Sequence, residues 1–151
     1  MRFATREVLS LAFLAACGAI FAYSAFAADP PQPVPVEKSM HEFMEYVFMP
    51  AYKRLKPLMA AAPADNTGWK GIKGESMVLA EGGNLLLGRL PEKDAAAWAE
   101  LSVAVRDAGG QLYAAAKKKD FPAAKTHYEA MLKKCNACHQ QFDNGKHQLM
   151  P

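Results

Sequence analysis

The sequence runs to 151 residues, 51% of them hydrophobic and 22% charged, with a formal net charge of +3. So small a charge provides no strong field for nucleic acid, and the length suits one domain better than two. No internal repeat, phosphate-binding loop, nucleophile–base pair or carboxylate dyad in a persuasive context stands out, so the chain is not expected to be an enzyme.

The chain opens with Arg2 and Arg6, continues without charge from Val8 to Ala28, and carries Ala25-Phe26-Ala27 before Asp29. A basic head, an apolar run and a small-x-small site predict a signal peptide over 1–27, cut after Ala27. Lipidation at Cys17, in Leu14-Ala15-Ala16-Cys17, and an uncut membrane anchor are the alternatives. All three put the domain outside the cytoplasm, periplasmic or membrane-tethered. Residues 28–35 then form a proline-rich spacer, which cannot continue a helix.

Four helical stretches are expected to follow, over 36–143. The first, about 36–61, carries Met40, Met44, Val47, Ala51, Leu55 and Leu58 on one stripe, with a kink or restart at Pro50. The second, about 70–90, puts Ile72, Leu79, Leu86 and Leu90 on a face shared with Ser76 and Gly83. Its glycines weaken a helix and require something packed very close to that backbone, either a neighbouring helix or a flat ligand. The third starts near Pro91 and runs to Lys118, with Trp98, Leu101, Val105, Ala108, Leu112 and Ala115 at intervals of three and four. Asp120 can cap the fourth and Pro122 suits its first turn. Its seam is Phe121, Ala124, Tyr128, Met131, Cys135, Cys138 and Phe142. The pattern predicts an all-α antiparallel four-helix bundle, with a mobile tail over 144–151.

The last helix contains Cys135-Asn136-Ala137-Cys138-His139. Positions i, i+3 and i+4 lie on one helical face, so both sulfurs and the imidazole project together. Once a signal peptide removes Cys17, these are the only two cysteines left, and an oxidising compartment would pair free thiols. C-x-x-C-H is the attachment pattern of a c-type haem: the thiols add to two vinyl groups and the histidine binds iron. A structural zinc would need further spaced ligands, which His41, His127 and His147 do not supply as a pattern. A redox dithiol belongs at a helix start after a strand, not deep in a terminal helix.

From 36 to about 142, the helix count and motif position resemble the class II c-type cytochromes, the cytochrome c′ family. The resemblance implies one covalent haem c on Cys135 and Cys138, with His139 as axial ligand. It also implies a sixth ligand from the first helix, for which Met44 is favoured and Met40 and His41 are the alternatives. Where the family usually has a basic residue four places after the histidine, this chain has Asp143. Where the family tends to carry a first-helix arginine near a propionate, this chain offers Met40 or His41. The implied function is electron transfer with a redox partner protein, in a monomer or a homodimer. Five-coordinate binding of small gases is the alternative, and a haem-free metal- or partner-binding bundle the second. Lys117, Lys118 and Lys119 could dock an acidic partner or simply complement the end of the third helix.

Overall fold

In a computed structural model, four packed helices account for most of residues 34–151, the part of the chain that the structure describes. The leader expected over 1–27 and residues 28–33 of the spacer lie outside the described residues. Among the described residues there is no strand, and no helix is long and apolar enough to cross a membrane.

Helix α1 is continuous but not uniform. It begins at Met40–Phe43, where the Ser39 hydroxyl accepts from the Glu42 amide, passes through a π-helical segment at Met44–Phe48, and continues as Met49–Leu58. The kink expected at Pro50 is instead this wide turn, in which the Met49 N–H donates to the Met44 carbonyl, five residues back. The cause is steric: proline has no N–H and its ring collides with the carbonyl four residues earlier, so widening the turn just before it relieves the collision.

Helix α2 spans Asn66–Leu87. It starts earlier than the apolar stripe suggests, because the Asp65 carboxylate accepts from the Gly68 amide at 2.9 Å and caps it. Helix α3 spans Ala95–Lys118, and Pro91 stays in the preceding loop rather than in its first turn. Helix α4 spans Phe121–Phe142, with Asp120 accepting from the Ala123 amide at 3.0 Å and Pro122 in the first turn, as expected.

Close approaches set the helix directions. Phe48 lies against Gly82, Arg54 pairs with Glu75 at 2.6 Å, and Leu58 lies against Gly71. As numbers rise along α1 they fall along α2, so the two are antiparallel. Leu86 with Trp98, Gly83 with Arg106 and Ala80 with Gly109 give the same relation for α2 and α3. The connection from α3 to α4 is only Lys119 and Asp120.

Gly83 of α2 and Gly109 of α3 serve the crossing of those two helices. A Cβ on Gly83 would come within 2.8 Å of the Arg106 backbone nitrogen, and one on Gly109 within 3.1 Å of Ala80. Small residues thus let α2 and α3 cross in near backbone contact. The main core joins Ala51, Leu55, Ile72, Leu79, Leu112, Ala124, Tyr128 and Met131 across all four helices. Leu55, Ile72, Leu112 and Met131 are fully buried, and burial of such a side chain contributes about 1.5–3 kcal/mol. A smaller cluster of Phe43, Leu86, Trp98 and Cys138 occupies the end where α1 and α3 begin and α2 and α4 finish. Leu90, expected on the α2 stripe, lies past the helix and is 57% exposed.

Candidate functional site

Helices α1 and α4 lean apart: no Cα of one comes within 8 Å of a Cα of the other. Between them is a cavity of about 350 Å³, within the range of small-ligand and cofactor sites. The sequence-derived site residues all line it. Cys135, Cys138, His139 and Phe142 come from α4, and Met40, His41, Met44 and Met49 from α1. Leu79 and Leu86 of α2 with Trp98, Leu101, Ser102 and Val105 of α3 add a mostly apolar wall.

The α4 residues reach the cavity because the seam from Phe121 to Phe142 turns one face inward, leaving Cys138 buried and Cys135 and His139 partly exposed. Trp98 is fixed at two points. Its indole N–H donates to the Leu86 carbonyl at 2.9 Å, and its ring meets Phe142 edge-on at 5.0 Å. The Ser102 hydroxyl, fully buried at the wall, donates to the Trp98 carbonyl at 2.7 Å and leaves no unmet donor. Met44 heads the π-helical segment on the side facing α4, and such turns are frequent at functional sites. His41 is exposed at the rim.

His139 has a single defined partner. Its Nδ1 lies 2.9 Å from the backbone carbonyl of His147, which can only accept, so Nδ1 carries the proton and, in the neutral ring, Nε2 keeps its lone pair. This is the arrangement found where a histidine binds a metal through Nε2. The carbonyl belongs to the segment 144–151, expected as a mobile end but held by the structure against the bundle through Asn136 and Tyr52.

The two thiols are not disulfide-linked. Burial pushes Cys135 up to about 12, with the neighbouring charge of Cys138 adding to it, and burial alone pushes Cys138 up to about 11. A redox-active dithiol needs a lowered thiol pKa, so this pair has the opposite character. Among the described residues no three or more His, Cys, Asp and Glu side chains converge as a metal shell. Two protonated thiols lie one helical turn apart, beside an imidazole with a free Nε2, and methionine thioethers line the facing wall.

Arg89 was not found from the sequence. It follows α2, stacks over Phe43 at 3.8 Å and donates to the Leu85 carbonyl at 2.8 Å, while its buried Nε has no acceptor. With Lys38 it lines a depression that shares Met40, Trp98 and Phe142 with the cavity. No periodicity marks such a residue, because it acts from a loop. Lys119 binds Asn66 at 2.7 Å, at the start of α2, so the lysine cluster lies at the opposite end of the bundle from the cavity.

No protein-family model matches the chain, and no curated protein is significantly similar to it.

Proposed function

We propose that the chain is an exported mono-haem c-type cytochrome that carries electrons, similar to the class II cytochromes. The observation that carries this reading is the convergence of Cys135, Cys138, the free Nε2 of His139 and the α1 methionines on one apolar cavity between α1 and α4. Haem bound there supplies a one-electron iron couple. Cys135 and Cys138 would anchor it by thioethers, which accounts for two cysteines that export would otherwise pair. His139 would bind the iron through Nε2. Met44, in the π-helical turn, would offer its thioether as a further iron ligand, a donor that favours reduced iron and raises the potential. Trp98, Phe142, Leu86 and Val105 would keep water from the ring, and Arg89, in the adjoining depression, would offer positive charge to the haem's propionates.

Small-gas binding by five-coordinate iron is the second reading, favoured by the apolar wall of Leu79, Leu86 and Val105 in the same cavity. Absorption spectra of protein made in a host able to attach haem separate the two. An electron carrier shows a Soret band that survives denaturation, a low-spin reduced spectrum, and no change under carbon monoxide until Met44→Ala opens the iron. A wild-type protein that takes up carbon monoxide at once supports gas binding. A colourless protein overturns both and leaves a haem-free bundle that binds another metal or a partner.

A further inference from the structure

We infer that the C-terminal segment 147–151 is a strap that positions His139, with Asn136 and Tyr52 as the positioning residues that fasten it. The inference rests on the haem reading for its consequence, though not for its geometry.

Helix α4 ends in a turn whose Asp143 and Gly145 amides both donate to the His139 carbonyl, at 2.9 and 3.0 Å. Left-handed φ angles at Asn144 (52°) and Gly145 (74°) then reverse the chain. His147 is also left-handed at φ 53°, a conformation that costs a side-chain-bearing residue free energy and persists only where its surroundings enforce it. What that conformation achieves is the 2.9 Å contact between its carbonyl and His139 Nδ1.

The surroundings that enforce it are two fastenings on different helices. On α4, the Asn136 amide grips Leu149 in both senses, donating to its carbonyl at 2.9 Å and accepting from its N–H at 2.7 Å. On α1, the Tyr52 hydroxyl donates to the Met150 carbonyl at 2.7 Å and accepts from the Met150 N–H at 3.2 Å, while Lys56 donates to the same carbonyl at 3.1 Å. Leu149 packs against the main core and, with His147, lines the cavity. The segment therefore bridges the two helices that otherwise lean apart and forms one wall of the site.

An acceptor on Nδ1–H orients the imidazole and makes its Nε2 a stronger donor. A stronger donor favours oxidised iron, so the strap lowers the reduction potential set by His139. Loss of the strap leaves helix content intact but removes this effect.

The test compares the full chain with a variant lacking residues 147–151, with Asn136→Ala and with Tyr52→Phe, each checked for helical circular dichroism. In chain expressed without haem attachment, nitrogen NMR of His139 reports an Nδ1–H tautomer in the wild type and a shift toward Nε2–H in the variants. In haem-bearing protein, the variants move the reduction potential to more positive values, and the iron–histidine stretch falls in frequency where the iron is five-coordinate. An unchanged tautomer, or an unchanged potential in the truncated haem-bearing chain, overturns the strap. A wild type that never acquires haem overturns only the haem reading, because the tautomer still decides whether the strap sets His139. Should truncation abolish folding, Asn136→Ala and Tyr52→Phe decide it by the same readouts.

Discussion

Tyr128 is 2% exposed in the core, and its buried hydroxyl has no hydrogen-bond partner. Burial, with smaller contributions from Tyr52 and Cys135, pushes its pKa up from 10 to about 12. In the unfolded chain the same phenol releases its proton near 10, so the stability of the fold does not depend on this group below that pH and falls as pH rises from 10 toward 12. Tyr128→Phe removes both the unmet hydroxyl and this dependence. We expect it to raise stability near neutral pH by about 1 kcal/mol and to flatten the alkaline loss between pH 10 and 12, measured by urea denaturation across that range. A fall in stability at pH 7 would mean that the hydroxyl has a partner after all. Residues of this kind explain what could be read in advance. Cys135, Cys138 and His139 were legible as a group because the spacing i, i+3 and i+4 puts all three on one helical face, and the structure brings that face to the cavity. Arg89, Asn136 and His147 were not, because Arg89 and His147 lie in non-helical segments and Asn136 bonds to such a segment, so no helical periodicity marks the contacts.

At the scale of helices, the start and most of the seam of α4 were legible, since Asp120 and Pro122 mark its start and apolar positions recur by three and four to Phe142, although buried Leu132 lies beside that series and was not in it. The π-helical turn of α1 was not, because it answers a collision between Pro50 and the preceding turn rather than any preference of Met44–Phe48. The glycines of α2 were recognised as needing a close neighbour, but only the packing separates those that have one from those that do not. Gly83 faces the Arg106 backbone, which cannot move aside, whereas nothing lies within 4 Å of a Cβ on Gly74. Gly83→Ala is therefore expected to cost about 1–3 kcal/mol by forcing α2 and α3 apart. Gly74→Ala should instead stabilise by about 0.5–1 kcal/mol, because alanine gives up less backbone freedom on entering a helix. Thermal melts of the two single variants read the opposite signs directly, and a matching sign would contradict the helix crossing described for Gly83 and Gly109.

For the molecule as a whole, cohesion is uneven. Helix α3 has close backbone neighbours on both sides in α2 and α4, whereas α1 approaches only α2 in backbone terms and faces α4 across the cavity. Side chains such as Ala51 and Leu55 tie the lower half of α1 into the core, but its first half, with Met40, Met44 and Phe48, borders the cavity. On the proposed function, a ring held between α1 and α4 would add to the contacts that Phe43 and its neighbours already make in this half. The chain with Cys135→Ala and Cys138→Ala should then keep most of its helix yet melt well below the haem-bearing protein and bind a hydrophobic dye at the opened cavity. Hydrogen exchange should be fastest over 40–58, while 95–142 stays protected, because α3 and α4 keep their mutual packing without the ring. Even protection across all four helices, with a melting temperature equal to that of the unsubstituted chain, would mean that the cavity closes by itself and that α1 needs nothing between it and α4.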